Sequence, residues 1–125
     1  MGSPLLHSKS SARRFGGQPK DYIEIHKFID CTKHHLPNFK HRCILHNSLG
    51  MDLAERVFGD AIVNSDGKDV EVRAIVYDHI MEDMGRVPTV QDWLENLQVQ
   101  PWMMKGNASD RMKKEISLDS ENIKQ

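Results

Sequence analysis

The sequence predicts a mainly α fold, a small helical bundle of about four helices with one short β-hairpin. Three observations lead there. Tyr22, Ile25, Phe28, Ile29, Thr32 and Leu36 recur at intervals of three and four, the spacing of one helix face. Ala61-Ile62-Val63 and Val70-Glu71-Val72 flank an Asp66-Gly67 pair, the dipeptide that favours a tight hairpin turn. The chain has 125 residues, one domain's worth, and its apolar residues concentrate between Tyr22 and Leu97. The expected organisation is a basic N-terminal arm over residues 1–18, a helical domain over 19–98 with its hairpin near 61–72, and a polar C-terminal tail over 99–125.

Taken in order, residues 1–18 are expected to be extended or loop, with Gly16-Gly17 as a flexible joint. Pro19 suits a helix's first turn, and Asp21 and Glu24 suit its positive end. That first helix should end near His35, because Pro37 restricts the residue before it. A second helix is expected from about Asn38 to Val57, with Cys43, Leu45 or His46, Leu49, Leu53 and Val57 inward. Gly50 within it costs about 1 kcal/mol relative to alanine, which suggests a close helix crossing there; Gly59 ends it. After the hairpin, Ile75, Val76, His79, Ile80 and Asp83 mark a third helix from Arg73 to Met84, capped by Gly85. Thr89 and Asp92 resemble a capping box opening a short fourth helix through Trp93, Leu94 and Leu97. Asn64-Ser65-Asp66-Gly67-Lys68 resembles part of a calcium loop but lacks its later ligands. Met112 and Ile116 give the tail one weak helical pattern.

The formal net charge is −1, so bulk electrostatics do not mark a nucleic-acid binder. No apolar run reaches the ~18 residues of a membrane span. The opening MGSPLLHSKSSARRFGG is basic and acid-free like a transit peptide, but Gly16-Gly17 and Pro19 argue against the amphipathic helix such a peptide needs. Cys31 and Cys43 have no CxxC spacing and are expected to be reduced thiols, which places the chain in the cytoplasm.

The chemical signal is histidine. Five of the seven histidines (His26, His34, His35, His41, His46) lie between positions 26 and 46, and His79 recurs beside acidic residues. His26 with Asp30, and His79 with Asp83, are four apart, so on helices each pair leaves one face. With His46 they make an expected metal set: His26, Asp30, His46, His79 and Asp83. Mixed nitrogen and oxygen donors suit zinc, manganese or iron better than calcium or magnesium. The bland alternative for each pair is an ordinary ion pair worth ~0.2–0.5 kcal/mol. His34 is expected to face solvent. The N-terminal hydroxyls, Arg13, Arg14 and the glycine N–H groups are of the kind that hold phosphate, though without P-loop spacing.

The stretches HSKSSARRFGG (7–17), DYIEIHKFID (21–30), KHRCILHNSLG (40–50), NSDGK (64–68), HIMEDMG (79–85) and PTVQDWL (88–94) together resemble an uncharacterised family, a domain of unknown function found in bacteria and their phages. The likeness covers roughly residues 7 to 94, and residues 100–125 lie outside it. It implies no reaction. It does imply that the N-terminal segment is part of the protein, and that His7, His26, Asp30, His35, His41, Arg42, His46, His79, Glu82 and Asp83 occupy motif positions. The order of ligands is superficially like that of helical metal-dependent phosphohydrolases, but the adjacent His-Asp pair of that group is missing.

The resulting expectation is a metal-binding, phosphate-handling domain with hydrolase-like chemistry. Glu82 or Asp30 would serve as general base, and His7, Arg13, Arg14, His35, His41 and Arg42 would bind a phosphate-containing small molecule or nucleotide. The alternatives are a non-catalytic module that sequesters a nucleotide or anion, or a purely structural small protein. Trp102-Met103-Met104 is bulky and apolar, and suggests a homodimer contact.

Overall fold

The computed structural model describes residues 3–36 and 38–104. It is mainly α, with α1 Pro4–Phe15, α2 Ile23–Ile29, α3 Arg42–Leu45, α4 Ser48–Phe58, α5 Val72–Met84 and α6 Val90–Leu94. Four of these have seven or more residues. Strands β1 (Ala61–Val63) and β2 (Asp69–Glu71) form the hairpin, antiparallel with Ile62 opposite Val70. The chain divides into two compact units, residues 1–95 and 96–125. In the second, the described residues form one 3-10 turn, Pro101–Met104; the pattern at Met112 and Ile116 lies outside the described residues.

Helix α5 is central: it packs on α4, α2 and α1. Its Val72, Ile75, Val76 and Ile80 join Tyr22, Ile25, Ile29, Leu45, Met51, Ala54 and Val70 in the core. On the same interior side α5 also buries His79, fully. The core is therefore apolar at one end and made of imidazoles and carboxylates at the other.

Four expectations are corrected. Residues 4–15 form a helix rather than an extended arm. The Ser3 hydroxyl accepts from the Leu6 N–H at 3.2 Å and Pro4 occupies the first turn, an N-cap followed by a residue that needs no donor. Hydrophobic periodicity could not reveal this helix. Its buried residues are His7, Ser8 and Ser11, while Leu5 and Leu6 are exposed.

The expected helix from Asn38 to Val57 is broken. A 3-10 turn at Asn38–His41 leads into α3, which stops before His46, and α4 starts anew at Ser48. Buried Asn47 makes the break. Its Oδ1 accepts from the Gly50 N–H at 2.9 Å, and its Nδ2 donates to the Cys43 and Ile44 carbonyls at 3.1 and 3.0 Å. One side chain thus ends one helix and caps the next. The restart turns Gly50, Met51 and Ala54 inward and leaves Leu49 and Val57 exposed, against the predicted stripe. A side chain at Gly50 would run into the Leu45 carbonyl, so the close approach there is to the preceding segment rather than to a crossing helix.

The first predicted helix is also shorter. It ends at Ile29, and Cys31–His34 continue as a 3-10 turn. The last α-helix stops at Leu94 rather than reaching Leu97.

Gly16-Gly17 serve a packing role. The Gly17 N–H donates to Asp66 Oδ2 at 2.8 Å, and Gly17 (φ 73°) lies so close to Asn64 that an added Cβ would meet its side chain at 2.9 Å. Buried Asn64 donates to the Phe15 carbonyl and the Tyr22 hydroxyl, both at 3.2 Å. The hairpin loop therefore clamps the end of α1 to the start of α2.

Candidate metal centre

Asp30, His46, His79 and Asp83 each offer one ligand atom, and these atoms all lie within 4.8 Å of one another. His79 Nε2 is 3.2 Å from Asp30 Oδ1 and 3.4 Å from Asp83 Oδ2; His46 Nε2 is 3.5 Å and 2.9 Å from the same oxygens. Bonds of about 2.1 Å put neighbouring ligand atoms about 3.0 Å apart in an octahedral shell and about 3.4 Å apart in a tetrahedral one. The group has the dimensions of a coordination shell. Its charge fits too, since two carboxylates and neutral imidazoles balance one divalent cation.

Each ligand arrives by a different local device. His79 and Asp83 are one turn apart on α5. Asp30 is the residue after α2, with φ −94° and ψ 1°, and its carboxylate and the His26 ring one turn earlier reach opposite nitrogens of the same His79 imidazole. His46 follows α3 at the break that Asn47 creates, and the Trp93 indole donates to its carbonyl at 3.2 Å. The PTVQDWL stretch thus supports the site from outside: its Pro88 carbonyl also accepts from the Ser48 N–H at 3.0 Å.

His41 and His7 flank the group. His41 Nδ1 lies 2.5 Å from the Asn38 carbonyl, which commits that nitrogen as donor and leaves Nε2 directed at Asp30 Oδ1, 3.8 Å away. That is the orientation of a metal-ligating histidine. Asn38 itself adopts φ 61°, the one positive φ outside glycine among the described residues. The Thr32 hydroxyl donates to the His41 carbonyl at 2.7 Å and holds the segment in place. His7 Nδ1 lies 3.3 Å from Glu82 Oε2, and its Nε2 lies 3.2 Å from Asp83 Oδ1. His7 Nε2 and Asp83 Oδ1 are both buried and lack hydrogen-bond partners among the described residues, as do His46 Nδ1 and Arg42 Nε. With Glu82 accepting the His7 proton, lone pairs face each other across that 3.2 Å, an arrangement a cation resolves.

His26 sits behind the group. Its Nδ1 is 2.8 Å from His79 Nδ1, and its Nε2 is 2.8 Å from the Ser11 hydroxyl. Both nitrogens are occupied, so His26 is a positioning residue and the sequence-based ligand set contracts by one. For His79 to ligate through Nε2, its proton must sit on Nδ1 and be accepted by His26, which must then be neutral. Burial, with the nearby His79 and His7 imidazoles, pushes the His26 pKa down to about 3 and secures that state.

Elsewhere in the group, burial opposes ionisation of Asp30, yet the hydrogen bond and charge of His79, with Lys33 and His46, hold its pKa below the usual carboxylate range. Burial opposes Asp83 as well, but the hydrogen bond from His46, with His79 beside it, holds it far lower. His46 is lowered by burial, against the pull of Asp83. Burial would lower His79, but its bonds to Asp30 and Asp83 raise it.

The remaining expected site residues do not converge. His35 is exposed; so is His34, which was expected to face solvent. Arg13 is exposed, and Arg14 pairs with Asp78 on the surface. Arg42 is half-buried. The groups that suggested a phosphate-gripping arm are engaged internally: Ser8 Oγ donates to the Pro4 carbonyl, Ser11 bonds His26, and Gly17 bonds Asp66. Sequence reasoning missed Ser11, Thr32, Asn47 and Trp93, whose roles depend on contacts distant along the chain or on local capping. Asn47 alone left a signal, as a cap-type residue beside Ser48 within the expected helix.

Comparison with known protein families matches residues 2–103 to the one described as Domain of unknown function (DUF6915). The chain belongs to that family. The match includes the N-terminal helix and runs past residue 100, further than the sequence motifs reach. No curated protein and no solved structure matches this DUF6915 domain. Among its described residues no helix is long and apolar enough to cross a membrane.

Proposed function

We propose that this DUF6915 domain binds a divalent transition metal, zinc, manganese or iron, through Asp30, His46, His79 and Asp83, with His41 or His7 as a fifth ligand and a position left open, and that it acts on a phosphate-containing small molecule or nucleotide. The observation that carries this reading is the convergence of four ligand atoms within 4.8 Å, with orphaned donors and acceptors beside them. The residues come from α5, the ends of α2 and α3, and α1, so a metal here would tie together four segments of a small domain. Bound there, the ion supplies Lewis acidity towards water and a phosphate oxygen. Asp30, as a ligand, is not available as a base. Glu82 is a third exposed and orients His7, which leaves it free to exchange a proton with solvent.

The test is metal analysis of protein purified without a polyhistidine tag, followed by phosphomonoesterase and phosphodiesterase assays with and without chelator. Protein that carries no metal, and gains no stability from added zinc, manganese or iron, sinks the reading.

A second reading, a structural metal without catalysis, is favoured by burial: His46 and His79 are fully buried and the Asp30 and Asp83 side chains only 4% exposed. Closed shells are typical of structural sites. Chelation separates the two, since a structural metal costs stability while no activity is lost.

A further inference from the structure

A cleft of about 450 Å³ lies against the metal centre, lined by Pro4, Lys27, Asp30, Cys31, Lys33 and His34. Asp30 belongs to both. Its Oδ1 faces His79 and His46, while its Oδ2 lies 3.4 Å from Lys33 Nζ in the cleft wall. We propose that this cleft admits a small phosphate monoester whose anionic oxygens lie between the Lys27 and Lys33 ammonium groups and the metal held by Asp30. The inference rests on the metal-binding reading above and adds the ligand class and the route by which it enters.

The charge of the lining selects an anion. Two lysines and one carboxylate line the cleft, and that carboxylate is already committed to the ligand group. Pro4 opens α1, a helix with no acidic residue in its first turn, so the positive end of its dipole adds to the cleft wall. Among the described residues Lys27 pairs with Glu24 alone, 3.7 Å away and well exposed, a contact of the kind worth ~0–1 kcal/mol that an incoming anion readily replaces. A dianionic phosphate monoester matches two lysines. The volume falls within the ~300–1,000 Å³ of small-ligand pockets and suits a ligand of nucleotide size.

A second cleft, of about 320 Å³, approaches the centre from the His7 side and is lined by Ser10, Arg14, Asp78, Met81 and Glu82. There Asp78 neutralises Arg14 and Glu82 leaves an excess of negative charge. An anion is therefore directed to the lysine cleft.

Cys31 provides the readout, being exposed in the cleft wall, whereas Cys43 is less exposed and not among the lining residues. Iodoacetamide alkylation of each thiol in the metal-loaded full chain is followed by peptide mass spectrometry, with inorganic phosphate, AMP or a short 5′-phosphorylated oligonucleotide at matched ionic strength. Phosphate and AMP are expected to slow alkylation of Cys31 several-fold and leave Cys43 unchanged. Lys27→Glu and Lys33→Gln are expected to raise the half-protecting concentration by about twofold to fivefold, the effect of an exposed charge contact, with metal content measured alongside. Protein that binds metal while neither probe protects Cys31 overturns this inference and leaves the metal reading standing. Equal protection of the lysine variants, or protection by the oligonucleotide alone, also overturns it. Failure to take up metal overturns both.

Discussion

Adding zinc or manganese to the metal-free protein is expected to raise its melting temperature by about 10–20 °C. A ligand that binds only the folded state stabilises it by about 2.7 kcal/mol at a hundredfold excess over its Kd. The site lies in the unit spanning residues 1–95, and in a domain of that size each kcal/mol moves the melting temperature by about 4–8 °C. The folded state alone can supply the ligands, because Asp30, His46 and His79 meet only after α2, α3 and α5 have packed. Asp83→Asn is the sharpest perturbation. It keeps the side chain's shape, removes the carboxylate shared by His46 and His79 at 2.9 and 3.4 Å, and leaves one buried negative charge to balance a divalent ion. Its metal-induced shift should fall to a small fraction of the wild-type value, while His35→Ala, at an exposed position, keeps the full shift. The assay is a circular-dichroism melt of tag-free, chelator-dialysed protein with and without each metal. No shift with zinc, manganese or ferrous iron, or an undiminished shift in Asp83→Asn, would refute the reasoning.

Ser11→Ala removes the partner of His26 Nε2 in the interior and should cost about 1–3 kcal/mol, read from urea unfolding; a neutral effect would show that His26 is not held from behind. Gly17→Ala places a Cβ at positive φ against Asn64 and is expected to destabilise by about 1–3 kcal/mol in the same assay. Asp21 has its pKa lowered by the Gln18 N–H first, then by the Ser65 hydroxyl and N–H. Its folded pKa lies below its unfolded value of about 3.9, so the stability it contributes is fully present above that pH and is lost as pH falls through the folded pKa. Acid titration of wild type against Asp21→Asn should therefore converge at low pH, and curves that stay parallel would contradict it.

His79 and Asp83 illustrate what pattern can show. Four apart in an apolar-periodic run, they had to share a face, and they do. His26 and Asp30 have the same spacing and both reach the His79 imidazole, but at opposite nitrogens, so only Asp30 joins the ligand group. Helix α1 was illegible for a related reason. Its inward face is His7, Ser8 and Ser11, and a polar face turned towards a polar core leaves no hydrophobic period to read. His46 was expected on the stripe of a continuous helix; it reaches the site because Asn47 ends one helix and begins another.

The sequence by itself determined the helical class, the hairpin and the types of ligand, since these follow from local periodicity, turn chemistry and composition. Only the tertiary structure decided which imidazoles face the carboxylates, which one stands behind them, and that the N-terminal segment closes over the site. Those outcomes depend on contacts such as Ser11 to His26, His7 to Asp83 and Asn64 to Phe15, between residues far apart along the chain, and no local pattern encodes them.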